Sequence, residues 1–247
     1  VRDAPDMMVM RHLVAALALV HLSAACSPTR DDRAGIDNAA APAAAPANVV
    51  QAAAPQGDRR LIVAFGDSLY AGYNLPAGDG FAPVLERALT AQGVSAQVMN
   101  AGVSGDTSAG GRSRLGFVLD GLPRKPDLVV LGLGANDMLR GLDPAATRTN
   151  LDAMLATLKT RGIPAMLTGM IAAPNMGADY AGAFNAIYPD LAKKYGVPLY
   201  PFFLDGVITD RNLLLGDGIH PNAAGVKRVV AKVAPIVADA LPPTAGQ

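Results

Sequence analysis

Histidine occurs at three positions of the 247-residue chain, 12, 21 and 220, and the first two lie in an N-terminal stretch that reads as an export signal. His220 is then the sole imidazole of the processed protein, and histidine is the side chain whose ordinary pKa lies near neutrality. It stands in Asp217-Gly218-Ile219-His220-Pro221-Asn222, with a carboxylate three residues ahead in a turn shaped by Gly and Pro. At that spacing Asp217 can accept from the ring nitrogen that faces away from a substrate. A base held in this way needs a nucleophile. The stretch Leu61-Ile62-Val63-Ala64-Phe65-Gly66-Asp67-Ser68-Leu69 offers one, because an apolar run stops at Gly-Asp-Ser and leaves a hydroxyl at the end of a buried strand. Serine is a weak nucleophile until a neighbouring base takes its proton, so Ser68, His220 and Asp217 fit the roles of nucleophile, base and orienter.

Acyl transfer also needs donors aimed at the oxyanion that the attack creates. The Ser68 backbone N–H is one candidate. Gly105, in Ser104-Gly105-Asp106-Thr107, offers a second backbone N–H with no side chain in the way, and Asn136, in Gly134-Ala135-Asn136-Asp137, a side-chain amide. Read singly, Gly105 is a turn glycine and Asn136-Asp137 a cap or turn pair. Their joint placement after strand-like runs is what gives them weight. Ser68 does not sit in a Gly-x-Ser-x-Gly elbow, since Tyr70 occupies the last position. That, with the short interval from Asp217 to His220, argues against the α/β-hydrolase fold.

The elements that must position these residues alternate between apolar runs and helical patterns. Strands are expected at Arg60–Gly66, Ala96–Asn100, Leu128–Gly134, Ile163–Met170 and Val197–Phe202. The last is weakened by Pro198 and Pro201 and so belongs at an edge. Helices are expected over Phe81–Gln92, Ser108–Leu119, Ala145–Thr160, Ala183–Tyr195 and Asn222–Ala240, the last with Val226, Val229, Val230, Val233 and Val237 on one face. Continuous apolar strands between amphipathic helices predict an α/β fold: a parallel sheet of about five strands covered on both faces. In such sheets ligands bind beyond the carboxyl ends of the strands. The loops carrying Ser68, Gly105 and Asn136 all leave those ends.

Composition bounds the rest. Lys and Arg number 21, as do Asp and Glu, giving no electrostatic reason to expect nucleic acid as a partner. Met10-Arg11-His12 followed by the apolar Leu13–Val20 and the small Ser23-Ala24-Ala25 has the form of an export signal, too short to span a bilayer. Residues 1–9 read as sequence ahead of a start at Met10, with Met7 and Met8 as alternatives. Cys26 is the only cysteine, which excludes an intramolecular disulfide. Its position resembles a bacterial lipobox, in which it would be lipidated and anchor the chain, although Leu22 lies one place further away than the usual aliphatic residue. Cleavage after Ala25 is the alternative, and both routes export the protein. Residues 27–57, rich in Ala and Pro, read as a tether, leaving 58–247 as one folded domain.

Taken in order and spacing, Gly66-Asp67-Ser68-Leu69, Gly105 after Asn100, Gly134-Ala135-Asn136-Asp137 and Asp217-Gly218-Ile219-His220-Pro221 resemble the four motif blocks of the GDSL/SGNH hydrolases. Within them the chain looks closest to the arylesterase, acyl-CoA thioesterase I and lysophospholipase L1 group. The resemblance spans Leu61 to Leu241. It implies a three-layer, flavodoxin-like α/β/α sandwich, with Ser68, Asp217 and His220 catalytic and an oxyanion hole of Ser68 N–H, Gly105 N–H and Asn136. It also implies no metal or organic cofactor, and a small acyl ester or thioester as substrate. In the loop Ile171–Gly182, Ala172-Ala173-Pro174-Asn175-Met176-Gly177 stand where the thioesterase I type has a more basic, tyrosine-containing segment, so acyl-length preference stays open. Two other readings use the same residues: an acetyl esterase acting on glycans, and a tethered binding protein without turnover. Nothing in the sequence sets the oligomeric state.

Overall fold

The computed structural model describes residues 59–243, so the expected signal, Cys26 and the expected tether lie outside the described residues. The chain runs β1 (Arg60–Gly66), α1 (Ser68–Ala71), α2 (Phe81–Ala91), β2 (Ala96–Gly102), α3 (Ser108–Asp120), β3 (Leu128–Gly132), α4 (Ala135–Leu139), α5 (Pro144–Thr160), β4 (Ala165–Thr168), α6 (Ala178–Asn185), α7 (Ile187–Tyr195), β5 (Leu199–Tyr200) and α8 (Ala223–Ala240). All five strands are parallel, in the order β2-β1-β3-β4-β5.

This order follows from right-handed crossovers. The step from β1 to β2 goes one way, and the step from β2 to β3 passes back over β1, so α2 and α3 fall on opposite faces. In keeping with this, α2 packs with α8, while α3 packs with α5 and α5 with α7. The sheet is therefore covered on both sides, and Leu61–Phe65 and Leu128–Leu131 are buried along their whole length. Burying one such aliphatic side chain contributes about 1.5–3 kcal/mol, which is why these strands read as unbroken apolar runs. The expected three layers and five parallel strands are present, and β5 is at an edge. Strand order reverses between β1 and β3, the switch point at which open parallel sheets bind ligands.

The departures are local. Two helices, α6 and α7, occupy the region where one was expected over Ala183–Tyr195. Pro189 lacks the N–H that an uninterrupted helix would use, and it sits instead in the first turn of α7, where that N–H is dispensable. Asn185, at the break, accepts from Ala172 N at 2.8 Å. The loop Ile171–Gly182 is correspondingly shorter than it reads, since it contains a 3-10 turn at Pro174–Met176 and most of α6.

Three strand-end glycines seat the element that carries Ser68. A methyl group on Gly66 would enter the Tyr70 ring and the Gly132 carbonyl oxygen, and one on Gly132 would meet the Tyr70 hydroxyl and Thr168. On Gly102 it would meet the backbone of Tyr70 and Ala71. Tyr70 fills the slot so left. It is buried among Phe81 and Phe203, with ring centroids 4.7 and 5.2 Å away, and its hydroxyl lies 2.7 Å from Thr168 Oγ1.

Candidate active site

Ser68 opens α1 immediately after β1. Asp67 caps that short helix, its Oδ1 accepting from Leu69 N at 3.0 Å. Arg114, on α3, reaches across: Nη2 donates to Gly66 O at 2.9 Å, Nε to Asp106 Oδ2 at 2.6 Å, and the guanidinium lies 4.0 Å over the Phe65 ring. One side chain thus joins the strand end before Ser68 to the loop that carries Gly105.

The His220 loop is folded by its own backbone. Leu215 N donates to His220 O at 2.8 Å, and Leu214 and Pro221 form an antiparallel bridge. Asn222 then caps α8, its Oδ1 accepting from Ala224 N and Gly225 N, both at 3.0 Å. Within this loop Asp217 Oδ1 accepts from His220 N at 3.0 Å and Ile219 N at 2.9 Å. Those backbone donors, with the His220 ring behind them, hold the Asp217 carboxyl down at about 2, so it is ionised at any ordinary pH. An ionised carboxylate only accepts, so at the 2.7 Å contact His220 Nδ1 is the donor. In the neutral ring Nε2 is then left to accept, and Ser68 Oγ stands 2.9 Å from it. The three expected residues form one hydrogen-bonded series.

The remaining expected residues lie beside it. Gly105 has φ +83°, a left-handed conformation that glycine adopts without strain. Asn136, on α4, donates from Nδ2 to Asp106 O at 2.9 Å, which leaves one amide hydrogen for another acceptor. Arg140 Nη2 donates to Gly105 O at 2.8 Å, so two consecutive carbonyls of the Gly105 loop are fastened to α4. Buried Asp137, also on α4, accepts from Ser108 N, at the start of α3, at 2.7 Å and from Thr147 Oγ1, on α5, at 3.1 Å. Ser68, Gly105, Asn136 and His220 line one cavity of about 570 Å³, whose remaining wall is largely apolar.

The sequence alone assigned no role in the site to four residues: Asp67, Tyr73, Arg114 and Arg140. The Tyr73 ring lies 4.4 Å from the His220 ring, centroid to centroid. Asp67 is buried with no cation paired to it among the described residues, and burial, with Asp106 and Asp137 nearby, pushes its carboxyl up to about 7. Its folded-state pKa is raised, so the folded chain holds the proton more tightly than the unfolded one. Stability is then lost as pH rises from about 4 to about 7, by on the order of 4 kcal/mol. Asp67→Asn keeps the acceptor for Leu69 N and removes the charge. Urea unfolding at pH 5 and pH 8 is expected to show the parent weakening towards pH 8 and the variant holding. Equal pH dependence in the two proteins would exclude Asp67 as the source.

Fold and site together place the chain among serine hydrolases built on a flavodoxin-like sheet. It belongs to the GDSL-like lipase/acylhydrolase family, whose pattern matches residues 64–228. It is 41% identical over 169 residues to an arylesterase of Vibrio mimicus, a match covering 68% of this chain and 83% of the relative. It is 38% identical over 161 residues to thioesterase 1/protease 1/lysophospholipase L1 of Escherichia coli K12, covering 65% and 75%. Among solved structures, AlinE4, an SGNH-hydrolase family esterase, is 49% identical with a TM-score of 0.65, over 76% of this chain and 100% of that one. The protein is a carboxylic ester hydrolase of the SGNH/GDSL serine type.

Proposed function

We propose that Ser68 attacks the carbonyl carbon of an ester or thioester with an apolar acyl group, using His220 as base and Asp217 as its orienter. The observation that carries this reading is the unbroken series Ser68 Oγ, His220 Nε2, His220 Nδ1, Asp217 Oδ2 at 2.9 and 2.7 Å, opening into a mainly apolar cavity. As Oγ bonds to the carbonyl carbon, its proton passes to His220 Nε2 and negative charge develops on the carbonyl oxygen. Ser68 N–H, Gly105 N–H and the spare Asn136 hydrogen are the donors assigned to that oxygen. Collapse of the tetrahedral species expels the alcohol or thiol, which takes the proton from His220, and leaves an acyl group on Ser68. Water then gives its proton to His220 and its oxygen to the acyl carbon, Ser68 recovers its proton, and the acid departs.

The names of the relatives extend the candidate substrates to aryl esters, acyl thioesters and lysophospholipids. Among the described residues no helix is long and apolar enough to cross a membrane. The sequence features ahead of residue 58 support export, with Cys26 as the candidate lipid anchor, residues 27–57 as the tether and 58–247 as the catalytic domain. An alkylphosphonate carrying a good leaving group tests the central claim. One equivalent should abolish p-nitrophenyl butyrate hydrolysis and leave its mass on the peptide containing Ser68; a label elsewhere, or inhibition without a label, contradicts the assignment. Asn136→Ala is expected to lower kcat about 10²–10³-fold with little change in KM, because the lost bond forms only as charge develops. Unchanged turnover would remove Asn136 from the oxyanion hole.

A further inference from the structure

Eight large hydrophobic side chains are exposed among the described residues, and five of them, Tyr73, Leu139, Ile171, Ile208 and Ile219, line the catalytic cavity. They come from segments following β1, β3, β4 and β5, so they surround the opening. Val103, next in sequence to the lining Ser104, and Leu142, three residues beyond the lining Leu139, are also exposed. Only Phe117, on α3, stands apart. Scattered exposed hydrophobics are ordinary, whereas a set gathered round one opening marks a surface that meets something apolar.

We propose that this rim docks on a lipid bilayer, so that the enzyme draws its ester from the membrane surface rather than from bulk water. The proposal rests on the esterase reading of the site. Three observations select a bilayer as the occupant. The five rim side chains line the same largely apolar cavity as Ser68, so whatever the rim meets sits where an acyl chain would enter. Among the described residues no Lys, Arg, Asp or Glu lines that cavity, which suits insertion among uncharged or zwitterionic lipids rather than a charged protein partner. Finally, the chain ahead of Arg59 carries Cys26 and then an Ala/Pro-rich stretch. With Cys26 lipidated, residues 27–57 would connect the domain to a membrane, the surface that the rim would then meet. A second copy seated on the same rim would instead close the cavity mouth and exclude substrate.

The test compares the mature protein with Val103→Glu/Leu142→Glu and with Phe117→Glu. Neither set alters a residue assigned to the cavity or to the chemistry. Each protein is assayed on soluble p-nitrophenyl butyrate and on p-nitrophenyl laurate held in phosphatidylcholine vesicles. Soluble turnover is expected to stay within about twofold throughout, while the double variant loses at least about fivefold on vesicles and Phe117→Glu does not. Full vesicle activity in the double variant, or an equal loss in Phe117→Glu, overturns the proposal. So does sedimentation showing a parent dimer that the double variant dissociates, which would assign the rim to a second copy. A parent inactive on butyrate would refute the esterase reading itself, and the docking proposal with it.

Discussion

Ser68→Ala is expected to lower kcat/KM for p-nitrophenyl butyrate by a factor on the order of 10⁵–10⁶, with KM little changed and the thermal midpoint within a few degrees of the parent. The hydroxyl contributes no core packing, and its polar contact is with His220 Nε2. What disappears is the atom proposed to form the bond. His220→Ala should fall by a similar factor, and the double variant should fall no further than either single one, because the proposed mechanism uses the two side chains in one step. Asp217→Ala should cost less, since the serine and imidazole remain. Steady-state kinetics on the four proteins checks all of this. A Ser68→Ala protein within tenfold of the parent would sink the acyl-enzyme mechanism, and additive losses would mean that serine and histidine work in separate steps.

Gly134→Ala is expected to destabilise the fold by about 2–5 kcal/mol. Gly134 caps α4 with φ +115° and ψ −14°, a conformation that side-chain-bearing residues rarely adopt. A methyl group there would also run into the Tyr188 hydroxyl. That hydroxyl cannot swing away, because the ring is 1% exposed, it packs against Phe184, and the hydroxyl donates to Leu133 O at 2.9 Å. The cost therefore combines backbone strain with a displaced buried hydrogen bond. For a domain of this size the loss corresponds to a fall of roughly 6–15 °C in thermal midpoint. Asn136 lies two residues on, so activity should drop with it. A fall of less than about 3 °C would mean that Tyr188 and the turn relax at little cost.

The sheet was legible because strands buried on both faces are written as unbroken apolar runs, as in Leu128-Val129-Val130-Leu131. Strand ends were less so. β3 stops at Gly132, short of the expected Gly134, because the next carbonyl, on Leu133, is taken by the Tyr188 hydroxyl. Residues distant in sequence decide that boundary. Helix α1, only four residues long, is too short to show a period, and the Pro189 signal for a new helix was present but outweighed by the apolar pattern around it. In the site, Ser68, Asp217 and His220 were readable from residue type and local turn chemistry. Tyr73, Arg114 and Arg140 were not, because each acts through a partner in another segment, and a lone tyrosine or arginine carries no local mark of that.

The glycines at the ends of β1, β2 and β3 have a bearing on how this enzyme can be made hardier. Replacing glycine by alanine is a usual route to greater heat tolerance, since it narrows the range of conformations open to the unfolded chain. At Gly66, Gly102 and Gly132 that route is closed, because the space a methyl would need is occupied by Tyr70, by its backbone or by Thr168. Gly78, Gly182 and Gly216 have open surroundings and remain available. The serine is thus held in register by atoms that are missing, and variation that fills those vacancies would act on catalysis before it acted on any residue that touches substrate.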